Sequence, residues 1–179
     1  LQPDLGNPCN CCERCKSFNE GTFLDLIELD AASNRGIDDI RDIRDKVNFS
    51  PVQGRRKVYI IDEAHMLTTE AENAFLKTLE EPPSHVMFIL CTTEMDKIAP
   101  TIVSRCQRFD FKLLSTEDIC SRLTEIIEAE HLTIDREAIS AIARFASGSL
   151  RDAENLLDQL SVSYEEGVSL SQVEDLLGI

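Results

Sequence analysis

An α/β protein carrying a small all-helical domain is the fold this sequence predicts, and three observations predict it. Residues 57–62 (KVYIID) and 86–91 (VMFILC) are short, almost unbroken apolar runs, as expected of parallel strands buried on both faces. The stretches before and between them carry apolar residues at helical spacing, bounded by turn formers. From Lys112 onward only helical spacing remains. Strands alternating with helices imply right-handed crossovers and a three-layer α/β sheet, with a domain boundary near residue 112.

Taken in order, residues 23–29 (FLDLIEL) read as a strand followed by a loop at 32–36. Asn34 or Ser33 is the expected N-cap of a helix over 37–48, with Ile37, Ile40, Ile43 and Val47 on one face. Pro51 and Gly54 mark 50–56 as a connection into the strand at 57–62. Thr69-Glu70-Ala71-Glu72 fits a capping box opening a helix that turns Ala71, Phe75 and Leu79 inward, and Pro82-Pro83 ends it. After the strand at 86–91 a short helix is expected over 97–104, and residues 107–111 look like a last strand. Beyond the boundary, Ile119, Leu123, Ile126 and Ile127 share a helical face, as do Ile139, Ile142, Ala143 and Ala146. Leu150, Ala153, Leu156, Leu157 and Leu160 repeat the pattern, with turns at Thr133, Ser147-Gly148 and Glu166-Gly167.

The composition narrows the function classes. With 42% apolar and 28% charged residues in 179, this is the make-up of an ordinary globular chain. No apolar run approaches the roughly 20 residues of a membrane span and no signal-peptide pattern opens the chain, so a cytoplasmic location is expected. A formal net charge of −15 argues against a module that coats nucleic acid, because phosphate neutralisation supplies most of such affinity. Alone, this chain is expected to bind DNA weakly. Four of its seven cysteines fall between Cys9 and Cys15, and an odd, crowded set suits metal or redox chemistry better than a disulfide framework. Cys9, Cys12 and Cys15 are spaced C-x₂-C-x₂-C.

The strongest chemical signal is Asp62-Glu63 at the end of the apolar run. A rigid strand delivering two adjacent carboxylates at its C-terminal end is the Walker B arrangement. Asp62 is then the residue to hold Mg²⁺, which prefers oxygen ligands, and Glu63 the one to polarise an attacking water. The plainer alternative is a buried strand ending in a solvated acidic turn. Asp62-Glu63-Ala64-His65 also spells the DEAH box of certain helicases, and four residues alone leave the choice open. No G-x-x-x-x-G-K-[ST] phosphate loop occurs in the sequence. The three histidines, His65 included, give little.

Longer motifs decide between them. Ala31-Ala32-Ser33-Asn34, KVYIIDEAHML, Ala74-Phe75-Leu76-Lys77-Thr78-Leu79-Glu80-Glu81-Pro82-Pro83, Thr92-Thr93, Ser104-Arg105-Cys106 and Gly148-Ser149-Leu150-Arg151-Asp152 occur in this order. The chain thereby closely resembles the gamma/tau clamp-loader subunits of bacterial DNA polymerase III, which are AAA+ ATPases. The resemblance runs from Pro8 to Gly178. It implies a RecA-like P-loop NTPase core, N-terminally truncated here, whose phosphate loop and first strand lie upstream. It also implies three parts: a zinc-binding module at 1–20 inserted in the core, the partial nucleotide-binding core at 21–112, and a helical lid at 113–179. Mapped residue by residue, it makes Thr92 the sensor-1 residue, Arg105 an arginine finger acting in trans on a neighbour's ATP, and Arg151 the sensor-2 residue reaching from the lid. Cys9, Cys12 and Cys15 become three ligands of a structural zinc, with the fourth expected one residue before Leu1; Cys11 is not a ligand. The implied cofactors are ATP, Mg²⁺ and Zn²⁺. The implied partners are other clamp-loader subunits, the sliding clamp and primer–template DNA, and no membrane. Without a phosphate loop the piece is expected to be inactive alone. A non-hydrolysing scaffold subunit and a DEAH-type helicase fragment are the alternatives.

Overall fold

A computed structural model describes residues 7–34, 36–164 and 167–178. Residues 1–6 of the expected zinc module and Glu166 of the expected turn lie outside the described residues. The described chain divides into two compact units, residues 1–108 and 109–179.

The first unit is built on a parallel sheet of three strands in the order β1 (Leu26–Asp30), β2 (Lys57–Asp62) and β3 (Val86–Leu90). β2 lies between the others, with Ile27 opposite Tyr59 and Tyr59 opposite Phe88. Its burial alternates: Lys57, Tyr59 and Ile61 are buried, while Val58 and Ile60 are half-buried. The buried face packs on helix α2 (Ile37–Val47) through Ile40, Ile43 and Val47, and on α3 (Thr69–Glu80) through Ala71 and Phe75. Ile102 of the short α4 (Pro100–Val103) joins the same core. Phe88 anchors this layer, stacked on Tyr59 at 5.4 Å and meeting Phe75 edge-on at 4.9 Å. Such pairs add about 0.5–1.5 kcal/mol each beyond the area they bury. On the opposite face Met87 and Ile89 stay exposed. A short α1 (Glu13–Asn19) precedes the sheet.

Several local expectations are corrected. The first strand begins at Leu26 instead of residue 23; Asp25 just before it still accepts the Val58 N–H through its carbonyl, while its side chain serves the 52–54 loop. The N-cap of α2 is Gly36, whose N–H donates to Asp39; Ser33 and Asn34 instead close a turn on Asp30. Helix α3 is capped by Thr68, one residue before the expected box, its hydroxyl accepting from the Ala71 N–H at 3.2 Å. Glu72 is thereby released, and its carboxylate accepts the Ala99 N–H instead. The expected helix over 97–104 divides into a 3₁₀ turn at Met95–Lys97 and α4. Residues 107–111 form no strand, and Phe109 and Phe111 are exposed.

The second unit has its own core. Helices α5 (Thr116–Ala129), α6 (Arg136–Phe145), α7 (Leu150–Ser163) and α8 (Leu170–Leu177) bury Ile119, Leu123, Ile142, Leu157 and Leu160 together. Ser115 and Ser149 cap α5 and α7 by accepting the N–H groups of Asp118 and Asp152. Helix α8, unforeseen in the sequence, delivers Val173 to this core, and Gln172 reaches back to the Ser169 N–H. Gly148 sits at φ +95°, and a Cβ there would stand 2.7 Å from the Cβ of Leu113. Backbone shape and packing both require glycine at that corner. No described helix is long and apolar enough to cross a membrane.

Asp25 is the fold's most consequential buried polar residue. It is fully enclosed, and its carboxylate accepts N–H bonds from Val52 (2.9 Å), Gln53 (2.6 Å) and Gly54 (2.6 Å). Burial pushes its carboxyl up, but the N–H groups of Gly54, Val52 and Gln53 together with the charge of Lys57 outweigh this and hold it below its usual value. A depressed carboxyl contributes stability above the unfolded value of about 3.9, and that contribution is lost as pH falls through the folded value. Asp25→Ala leaves three loop N–H groups without their acceptor and should cost about 1–3 kcal/mol at neutral pH. Thermal melts of the wild type and the variant should show the full gap above about pH 4 and a gap that narrows progressively as pH falls further.

Candidate functional site

The parallel register brings the C-terminal ends of the strands to one edge of the sheet, and the acidic residues gather there. Asp62 is the last residue of β2, opposite Asp30 at the end of β1. Its Oδ1 accepts the Glu63 N–H at 3.0 Å. Glu63 takes a left-handed backbone, φ 48° and ψ 43°, which is uncommon for a residue with a Cβ and is a mark of functional turns. This reversal ends the strand and starts a 3₁₀ turn at Ala64–Met66. The turn is stitched to the end of β3 by the Ala64 N–H, which donates to the Cys91 carbonyl at 2.9 Å.

Thr92 lies two residues past the end of β3. Its hydroxyl oxygen accepts the Glu94 N–H at 3.0 Å and lies 3.0 Å from Nδ1 of His65. The same nitrogen is 3.4 Å from Oε2 of Glu63, and Nε2 of His65 is 3.3 Å from Glu94. Asp62, Glu63 and Thr92 are therefore brought together, with His65 between them. Oε2 of Glu63 is buried yet has no hydrogen-bond donor among the described residues. The Cys91 thiol registers the local field: burial pushes it up, and the charges of Asp62 and Glu63 push it further. Asp30, by contrast, is used up locally. Ser33 and the Ala32 N–H bind its carboxylate and hold its pKa down. The Lys97 ammonium likewise keeps Glu94 ionised, at 2.7 Å.

Arg105 makes its contacts elsewhere. It follows α4, donating from Nη1 to the Thr101 carbonyl at 2.7 Å and from Nη2 to Glu80 at 2.6 Å, at the end of α3. Both partners of this ion pair are partly solvated, a setting in which such pairs contribute only about 0–1 kcal/mol. Arg151 stands in the first turn of α7, in the second unit, and is exposed.

The cysteine cluster forms a separate site. The Sγ atoms of Cys9, Cys12 and Cys15 lie within 4.8 Å of one another, and those of Cys9 and Cys15 are 3.8 Å apart. Asn10 turns the chain in the left-handed region at φ 52°, and Cys12 is the N-cap of α1, so Cys15 comes round one turn later. Backbone N–H groups of Cys11 and Cys12 lower the Cys9 thiol to about 6. A thiol that ionises this readily is suited to metal, since the thiolate is the ligand. Cys11 is exposed and stands outside the group, its own thiol raised chiefly by its hydrogen bond with Cys9.

Sequence reasoning gave His65 no role in this site and did not single out Glu94. A lone histidine has no spacing signal, and the contact of His65 spans 27 residues, from β2 to β3. The one available hint was its place three residues after Asp62.

Comparison with known proteins follows these features closely. The family described as DNA polymerase III, delta subunit, matches residues 1–115, and that described as DNA polymerase III clamp loader subunit, ATPase lid domain, matches residues 118–164. DNA polymerase III subunit tau of Bacillus subtilis is 53% identical over 97% of this chain, which spans 30% of that relative's length. Among solved structures, a DNA polymerase III gamma subunit-related protein from Thermotoga maritima is 26% identical, with a TM-score of 0.54 over 88% of this chain and 60% of that one. The Holliday junction branch migration motor RuvB of the same organism, 15% identical, shares the fold at a TM-score of 0.68 over 90% of this chain and 54% of its own. The first unit is thus the parallel core of an AAA+ protein and the second its lid, and the chain belongs to the gamma/tau clamp-loader subunits of DNA polymerase III.

Proposed function

We propose that this chain is part of the motor subunit of a clamp loader, in which ATP binding and hydrolysis drive the loading of a sliding clamp onto primed DNA. The observation that carries this reading is the pair Asp62-Glu63, set rigidly at the end of the central strand beside Thr92, with one Glu63 oxygen buried and unpaired. An unpaired carboxylate oxygen in such a place is costly unless something is to donate to it. Asp62 is the residue to hold Mg²⁺ with ATP, since its exposed carboxylate offers the oxygen ligands that ion prefers. The cation would neutralise phosphate charge, and Glu63 would take the proton of the attacking water. Thr92 would orient that water or the γ-phosphate. Arg151 would report from the lid on this subunit's own nucleotide.

Arg105 acts, on this reading, in trans on ATP held by the neighbouring subunit. Its weak ion pair with Glu80 supports the role, because a solvated pair is readily exchanged for phosphate. The DEAH spelling at residues 62–65 does not favour a helicase, as the unit that follows is helical throughout its described elements. The partners proposed are the other clamp-loader subunits in a ring, the sliding clamp and primer–template DNA reached through the assembly.

ATP turnover by the full-length protein, in a reconstituted loader, tests this. Clamp and primed DNA together should stimulate hydrolysis. Glu63→Gln should lower stimulated turnover at least about 10²-fold while ATP still binds, and Arg105→Ala should lower it about 10³-fold or more. Turnover that responds to single-stranded nucleic acid alone and ignores Arg105 would point to a helicase, and none under any condition to a scaffold.

Cys9, Cys12 and Cys15 are proposed to hold a structural zinc. Three converging thiols, one of them readily ionised, suit a soft tetrahedral ion that takes four ligands. Metal analysis of the full-length protein should find one zinc per chain. Cys12→Ala should abolish it and lower Tm, whereas Cys11→Ala should keep it; equal zinc in both variants would refute the site.

A further inference from the structure

One imidazole joins the two acceptors of the candidate site. His65 is buried, with only 7% of its side chain exposed, in the 3₁₀ turn that Glu63 begins. Its Nδ1 lies 3.0 Å from the Thr92 hydroxyl and 3.4 Å from Oε2 of Glu63, and its Nε2 lies 3.3 Å from Glu94. Glu94 is itself held by Lys97 and by its own N–H, which donates to Thr92.

The partners fix where the proton sits. Glu94 is an ionised carboxylate that only accepts, so Nε2 must carry a hydrogen to face it. In the tautomer whose one hydrogen is on Nε2, Nδ1 is an acceptor. The Thr92 oxygen already accepts the Glu94 N–H, and its own hydrogen is free to go to Nδ1. In this tautomer the ring gives no proton to Glu63, which agrees with Oε2 having no donor. The outcome is two acceptors side by side along one ring edge: Oε2 of Glu63 and the remaining lone pair of Thr92. A water that donates one hydrogen to each keeps its oxygen lone pairs for attack.

We propose that His65 is a positioning residue for ATP hydrolysis, turning the Thr92 hydroxyl so that it and the unpaired Glu63 oxygen together hold the attacking water. The inference rests on the motor reading above. In the step it serves, the water oxygen bonds to the γ-phosphorus as the bond to the ADP oxygen breaks, and the water proton passes to Glu63. His65 touches neither ATP nor water and gains or loses no proton.

The test uses the full-length protein in the reconstituted loader, with His65→Asn, His65→Gln and His65→Ala. Asparagine places an amide oxygen near the position of Nδ1, where it accepts from Thr92; glutamine reaches instead toward Glu94. His65→Ala and His65→Gln should lower kcat about 10–100-fold, as loss of an orienting partner does, with KM for ATP and binding of a non-hydrolysable ATP analogue unchanged. His65→Asn should recover most of kcat. In a Glu63→Gln background the same substitutions should cost little more, since the water is already unactivated. Wild-type kcat in all three variants, or losses that follow Tm and KM alone, would overturn the positioning role while leaving the motor reading intact. If His65→Ala does not fold, the contrast between asparagine and glutamine decides. Absence of turnover in the wild type would overturn the motor reading itself, and this inference with it.

Discussion

The parallel pairing of β2 with a strand on each side is the constraint on which the rest of the first unit depends. With Leu26 to Asp30 locked against Val58 to Asp62, and Lys57 to Ile61 against Val86 to Leu90, every residue's depth along the sheet is set. A slip of one residue would turn Tyr59 and Ile61 out of the core and the half-exposed Val58 and Ile60 into it. The aromatic set of Tyr59, Phe88 and Phe75 resists that slip. Because all three strands run the same way, their C-terminal ends open on one edge, and Asp30, Asp62 and Thr92 arrive there together.

Gathering carboxylates on one edge is unfavourable in a chain of net charge −15, and the structure limits the cost unevenly. The Asp30 carboxylate is satisfied within its own turn by Ser33 and the Ala32 N–H, and Glu94 is paired with Lys97. Asp62 receives one N–H, from the residue that follows it. Among the described residues, Glu63 alone is left with a buried, unpaired oxygen, on a backbone in the left-handed region. Strain and missing hydrogen bonds tend to be tolerated where a ligand or a reacting atom completes the set. The uneven treatment thus separates Asp30 and Glu94, held by their own neighbours, from Asp62 and Glu63, which are less fully bonded.

The modular layout follows from the burial. The sheet unit and the helical unit each close a core of their own, one around Phe75 and Ile61 and the other around Leu123, Ile142 and Leu160. The cysteine cluster contributes to neither core; α1 buries no residue, so its order must come from short-range bonds and the thiols themselves. A metal there would supply what apolar packing does not.

The apolar runs at 57–62 and 86–91, the helical faces of the second unit and the C-x₂-C-x₂-C spacing were legible in the sequence, because each is a local periodic pattern imposed by backbone geometry. The same is true of Asp62-Glu63, which announces itself by following a strand. What local pattern could not determine depended on partners distant in the chain. Residues 107–111 read as a strand but pair with none, and Glu72 read as a cap but serves Ala99. The Asp25 side chain serves a loop 27 residues on, and His65 became the link between Glu63 and Thr92 only once β2 and β3 were paired. The sequence by itself determined the elements and the identity of the acids; the tertiary structure decided which acids are spent and which stay free, because that depends on donors brought in from other strands.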